Sequence, residues 1–236
     1  MRLLLIFALL TVFLQSCTDC INSNAPRYEV NRDISSFTVL QSNTLKLYID
    51  LYQGKEQDLI VKGTENALIN LQTSVTSDIL TIENTACKES PTKLFSDVYI
   101  DEALQTIILE NNEQLNAQTD ISLNDLSFIL SNTASATIEK LNVSSLTATA
   151  HDNASLQLGS GKSARVSNLT FNNNATCNAA GFITDTLYCT ISDSSIVTIG
   201  VSQYIKANIQ GDAKLYYRGN PTIVSESGSS SIIKID

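Results

Sequence analysis

The C-terminal half repeats one short phrase at nearly constant spacing: DLSFILSNTASATI, SLTATAHDNASLQL, SNLTFNNNATCNA, TLYCTISDSSIVTI, YIKANIQGDAKLYY and IVSESGSSSIIKI. A shift of 20 residues superposes Leu126, Phe128 and Leu130 on Leu146, Ala148 and Ala150. Carried onward, the shifts give four apolar columns. Leu130, Ala150, Phe171, Ile191 and Ile209 form one, and Phe128, Ala148, Leu169, Cys189 and Ala207 form the next, two residues earlier. Beyond a short break, Ala136, Leu156, Cys177, Val197, Leu215 and Ile233 form a third, and Ile138, Leu158, Ala179, Ile199, Tyr217 and Ile235 a fourth.

Apolar residues two apart lie on one face of a β-strand. The breaks hold Asn132, Asp152, Asn173, Asp193, Gly211 and Ser229, types that accept turn dihedrals. Strand, turn and strand recurring every 18–21 residues predicts an all-β parallel β-helix or solenoid, in which a coil buries its columns only by stacking on its neighbours. An antiparallel sandwich also alternates, but it has no reason to hold four columns in register.

The remainder divides by pattern. Met1 and Arg2 precede the apolar run LLLIFALLTVFL, too short for a spanning helix and suited to a secretory signal. LQSC, Leu14 to Cys17, resembles the lipobox of bacterial lipoproteins. That resemblance implies a signal peptide over residues 1–16, a diacylated Cys17 and a tether over 17–29. With Thr18 after the cysteine it implies the outer membrane, on either face, and a membrane as partner through the lipid. Residues 30–95 alternate less regularly: Phe37 and Val39; Leu45, Leu47, Ile49 and Leu51; Leu59 and Val61; Leu68, Leu71 and Val75; Leu80 and Ile82. They read as a β region capping the repeats of residues 96–236, with 30–236 forming one continuous domain.

QGKEQDLIVKGTENALINLQTSVTSDILTIE, the repeats after it, and LYYRGNP near the C-terminus resemble the head-GIN-domain putative autotransporter adhesin family of Bacteroidetes. The resemblance covers about residues 30–236 and implies a parallel β-helix with an adhesive role. One departure is plain: the glycine-serine turns usual in that family are mostly Asn, Asp or Ser here.

Signatures of chemistry are sparse. The net charge of −9 is concentrated in residues 18–120, where sixteen acidic residues face seven basic ones, and no basic run points to nucleic acid. The single histidine, His151, sits in a turn, which excludes multi-histidine metal sites. No phosphate-binding or dinucleotide-binding loop occurs, so no cofactor, metal or catalytic residue is assigned. Asp152, Asp193 and Asp212 fall in neighbouring turn columns. They are either the acid and base of a polysaccharide-modifying enzyme or rungs of a hydrogen-bonded turn ladder, and the ladder explains Asn132 and Asn173 as well. Cys177 and Cys189 fall in inward columns of adjoining coils, as a disulfide or as two buried thiols. Cys20 and Cys87 are a second candidate pair.

Outward positions are rich in Thr, Asn and Tyr: Thr147, Thr149, Asn168, Thr170, Tyr188, Tyr204 and Tyr216. Rings that stack on sugars and amides that hydrogen-bond them make this the candidate ligand surface, for carbohydrate or for another envelope or host surface protein. The expectation is thus a non-catalytic cell-envelope lipoprotein that binds through its solenoid surface, the alternatives being the enzyme above or a purely structural envelope scaffold.

Overall fold

In the computed structural model each repeat phrase is one coil, and the pairing of coils follows the columns read above. The structure describes residues 25–84, 94–160, 164–227 and 231–236. Cys17, Cys20 and Cys87, with the signal segment and most of the tether, lie outside them.

The N-terminal part contains β1 (Arg27–Arg32), β2 (Val39–Asn43), β3 (Leu47–Gln53), β4 (Asp58–Thr64), α1 (Glu65–Asn70), β5 (Leu71–Thr76), β6 (Ile79–Asn84) and β7 (Leu94–Ile100). The coils follow as β8 (Thr106–Leu109), β9 (Gln114–Ala117), β10 (Ile121–Ser122), β11 (Asp125–Leu130), β12 (Ser135–Ile138), β13 (Leu141–Asn142), β14 (Ser145–Ala150) and β15 (Ser155–Leu158). The last are β16 (Ala164–Phe171), β17 (Thr176–Ile191), β18 (Ile196–Ile209), β19 (Lys214–Arg218), β20 (Thr222–Ser227) and β21 (Ile232–Lys234).

The pairings make two faces. Face A runs β5, β6, β2, β8, β11, β14, β16, then the second halves of β17 and β18, then β20. Face B runs β1, β4, β7, β3, β9, β12, β15, the first halves of β17 and β18, β19 and β21. A short third side pairs β10 with β13. Because the pairing is parallel, like stacks on like. Phe128 pairs with Ala148, Ala148 with Leu169, Leu169 with Cys189 and Cys189 with Ala207, all at most 3% exposed.

Between faces A and B six successive coils each turn on one left-handed residue: Asn111, Asn132, Asp152, Asn173 and Asp193 at φ 58–63°, then Gly211 at 66°. Asn and Asp tolerate this region better than other non-glycine residues. Two residues on, Ala134, Ala154, Ala175, Ser195 and Ala213 are fully buried, so the corner admits only a small side chain. At the first coil that corner holds Glu113, also fully buried.

The N-terminal region departs from chain order. β2 and β3 form a coil that lies against β8 and β9 on one side and against β6 and β7 on the other. This end finishes in antiparallel pairs, β4 on β7, β1 on β4 and β5 on β6. The β5–β6 hairpin turns on Ser77 and Asp78, both with positive φ.

Two sequence readings are corrected. Leu68 does not continue a strand, because Glu65–Asn70 is helical and buries Ala67 and Leu68. Gly63 makes room for it, since a Cβ there would lie 2.9 Å from Leu94 and 3.5 Å from Leu68. At the C-terminal end Ile232, not Ile233, stacks on Leu215, and Ile233 pairs with the outward Tyr216. With apolar residues at 232, 233 and 235, the pattern alone does not fix the register.

Candidate functional site

The candidate surface residues lie on both faces. On face A, Thr147, Asn168, Tyr188 and Lys206 form one outward row, and Thr149, Thr170, Thr190 and Asn208 the row beside it. Parallel strands set successive members about 4.8 Å apart. Tyr204 is two positions before Lys206 on β18 and so diagonal to Tyr188. Tyr188 is 44% exposed, and Asn168, Thr170 and Thr190 are exposed beside it. Tyr216 is not among them, because it sits on face B in a row with Thr198, Asn178, Gln157 and Thr137.

The outer surface of face B carries a group that the sequence reading passed over. Tyr48 stacks on Phe95 at 5.2 Å and Tyr52 on Tyr99 at 5.0 Å, from β3 onto β7, with the Arg27 guanidinium 5.2 Å over the Phe95 ring. Lys62 Nζ donates to Asp97 Oδ2 at 2.6 Å and lies 3.7 Å from Glu29. That hydrogen bond holds the Lys62 ammonium above its ordinary pKa. Burial and the Asp97 and Asp50 charges raise the Tyr52 phenol. Matching spacings, Tyr48 with Tyr52 and Phe95 with Tyr99, were the available signal. These rings spend their faces on each other, so the cluster clamps β3 to β7.

The turn carboxylates do not converge as acid and base. Asp152 and Asp193 share a column with Asn173 between them, which sets their rungs about 9.5 Å apart. Asn173 joins both: its Nδ2 donates to Asp152 Oδ1 at 2.8 Å, and its backbone N–H donates to Asp193 Oδ2 at 3.0 Å. His151 Nδ1 lies 2.9 Å from the other Asp152 oxygen. These bonds, His151 first for Asp152 and the Asn173 N–H first for Asp193, hold both carboxyls below their ordinary values. A general acid requires the opposite shift. Asp212 follows Gly211 in the adjacent column and is exposed. Below, Asn132 Nδ2 donates to Asn111 Oδ1 at 3.4 Å and Asn111 Nδ2 to Asn43 Oδ1 at 3.0 Å, so the ladder reaches the N-terminal coil.

Cys177 and Cys189 are free thiols, 2% and 3% exposed. Cys177 stacks between Leu156 and Val197, and Cys189 between Leu169 and Ala207. Burial pushes Cys177 up to about 12 and raises Cys189 as well, with the neighbouring Cys177 adding to it. Among the described residues no cluster of three His, Cys, Asp or Glu side chains could hold a metal, and no helix is long and apolar enough to cross a membrane.

Known proteins were compared with this fold. The crystal structure of an adhesin described as putative from Bacteroides fragilis superposes with a TM-score of 0.78 at 16% identity, over 91% of this chain and 95% of that one. One from Parabacteroides merdae gives 0.67 at 15%, over 91% and 95%. A structure named as a putative lipid binding protein from Parabacteroides distasonis gives 0.72 at 17%, over 92% and 99%. At these identities the likeness is one of fold. No curated protein matches the chain. The family model described as "Putative auto-transporter adhesin, head GIN domain" matches residues 36–221, from before β2 to the start of β20, and the chain belongs to that family.

Proposed function

We propose that this chain is a non-catalytic binding module of the bacterial cell envelope, held on the outer membrane by acyl chains on Cys17, with face A as its contact surface. The carrying observation is the pair of outward rows on face A, Thr147–Asn168–Tyr188 and Thr149–Thr170–Thr190, which run from half-buried threonines to exposed Asn168, Thr170, Tyr188 and Thr190 on stacked coils. Such rows offer hydroxyl, amide and ring contacts at a fixed interval, which suits a repeating partner such as a carbohydrate chain or an extended protein segment. Membership of an adhesin family supports the reading, and so does the name of adhesin given to several fold neighbours. The bonded, low-pKa state of Asp152 and Asp193 favours binding over hydrolysis. Two or three acyl chains would anchor the protein stably, at ~0.8 kcal/mol for each buried CH₂.

Binding of the full chain to arrayed glycans, matrix proteins and envelope components tests the role. Signal should appear for at least one class and fall in a Thr149→Ala/Thr170→Ala/Tyr188→Ala variant. Absence of signal across the array, or signal indifferent to those substitutions, overturns the assignment of face A. Anchoring is tested separately: Cys17→Ser should release the protein from membranes and abolish labelling by a fatty-acid analogue.

A further inference from the structure

At the capped end, where α1 runs into β5, an open cavity of about 380 Å³ is lined by Arg32, Ile69, Gln72, Ser74, Thr81 and Glu83 among others. Its floor is the β5–β6 hairpin, which sets Gln72 opposite Glu83 and Ser74 opposite Thr81, so four polar side chains share one face. Arg32 enters from β1. Its Nη2 donates to the carbonyls of Leu68 and Leu71 at 3.0 and 3.4 Å, its Nε is enclosed without an acceptor, and no carboxylate among the described residues lies within ion-pair distance of it. The guanidinium is therefore positioned by backbone carbonyls rather than by a carboxylate. At the rim stands Ile69, 71% exposed, a large apolar side chain that contributes little to the core.

We propose that this cavity binds a neutral saccharide unit through its hydroxyl groups. The volume lies within the range of small-molecule sites. Arg32 and Glu83 bring one charge of each sign to the lining without forming an ion pair, and the other polar groups are amide and hydroxyl, so the lining carries no net charge. On a chain of net charge −9 an acidic ligand would also be repelled. What remains complementary is a polyhydroxylated ring: a guanidinium donor, a carboxylate acceptor, the Gln72 amide and two hydroxyls for its polar edge, and Ile69 for its C–H face. The proposal adds a second site to the binding role; it rests on that role but not on face A.

The test uses the full chain, isotopically labelled, titrated with the methyl pyranosides of glucose, galactose, mannose and N-acetylglucosamine and with methyl glucuronide. At least one neutral glycoside should shift the backbone resonances of Gln72, Ser74 and Thr81. A Ser74→Val/Thr81→Val variant, which keeps strand-forming residues on the hairpin, should weaken binding about ten-fold, the loss of one or two hydrogen bonds. Arg32→Lys should weaken it too, while a melting temperature within a few degrees of the parent rules out a folding defect. No shift with any glycoside, shifts unaltered by the hairpin variant, or binding of the glucuronide alone overturns the proposal. Shifts confined to Thr149, Thr170 and Tyr188 would overturn it and leave face A standing; shifts at the hairpin alone would support the cavity, and face A would stand or fall by the array.

Discussion

Glu113 Oε1 accepts the backbone N–H of Thr44 at 2.7 Å, across 69 residues of sequence. The same oxygen accepts the Ser42 hydroxyl at 2.5 Å, and Oε2 accepts the Glu110 N–H at 3.0 Å. The next five corners hold Ala134, Ala154, Ala175, Ser195 and Ala213 at this position. Here the β2–β3 turn lacks the left-handed Asn, and the Glu113 carboxyl satisfies its buried donors instead. One side chain thus joins the N-terminal coil to the first repeat.

Truncating that side chain should be costly. Glu113→Ala leaves the buried Thr44 N–H and Ser42 hydroxyl and the half-buried Glu110 N–H without partners and opens a void, so we expect a loss of about 2–4 kcal/mol by urea unfolding. Burial raises the Glu113 carboxyl above its ordinary value, outweighing the hydrogen bonds that favour its ionised form. Its contribution is therefore fully present below the unfolded value of 4.5 and is lost as pH rises through the raised folded value. Glu113→Gln cannot ionise. The stability difference, parent minus Glu113→Gln, should shrink between pH 4 and 8, and a difference that grows with pH would contradict the assignment.

The repeat was legible because it needs only local signals. Inward residues two apart and one Asn or Asp per corner placed Leu130, Ala150, Phe171, Ile191 and Ile209 in a column that the pairings reproduce. The threading of β2–β3 between β6–β7 and β8–β9 left no such mark, because its pairings span tens of residues and depend on no periodicity. Glu113 shows the same limit. In NNEQL it looks like a solvated turn residue, and only the coil that lies against it makes it buried. The site was legible in part for a related reason: alternation says that Tyr216 points outward but not on which face.

The corner ladder should respond to its backbone conformation. Asn173→Ala keeps a β-carbon in the left-handed region without the side-chain amide that eases it there, at about 1–2 kcal/mol, and also removes the side-chain bond to Asp152. Asn173→Gly removes that bond but relieves the left-handed backbone, and should cost less. Gly211→Ala should cost more than a strained turn alone, since its Cβ would meet Asp193 Cα and O at 3.1 Å. At this chain length each kcal/mol lowers Tm by roughly 2–4 °C, so thermal melts order the three variants. Asp152 and Asp193 have lowered folded values, so their contribution is present above 3.8 and is lost as pH falls through those values. Asp152→Asn/Asp193→Asn should flatten the acid limb of the Tm profile.

Thiol chemistry reports on the two buried cysteines directly. With Cys177 raised to about 12, almost none of it is thiolate at neutral pH, and both sulfurs are enclosed. Native protein without reductant should resist iodoacetamide at both positions, and the same protein in guanidinium should take up two labels there. Labelling that appears only after reduction would mean a bridge between coils.

The interleaved coil at the N-terminal end makes the sharpest claim about the fold as a whole. Removing residues before 96 takes away β2 and β3, and with them every partner that β8 and β9 have on that side. It also strands Glu113, which loses Ser42 and Thr44. The exposed edges would be parallel-strand edges without the antiparallel finish of β1 and β5, and they would lie over apolar columns of Ile107, Leu109 and Leu115. Such an edge is a template for further strands. A fragment of residues 96–236 should therefore aggregate or form higher oligomers in size-exclusion chromatography with light scattering, whereas residues 25–236 should not do so by this route. A soluble monomeric 96–236 fragment with native β-sheet circular dichroism would mean that the coils beyond β9 fold without their cap.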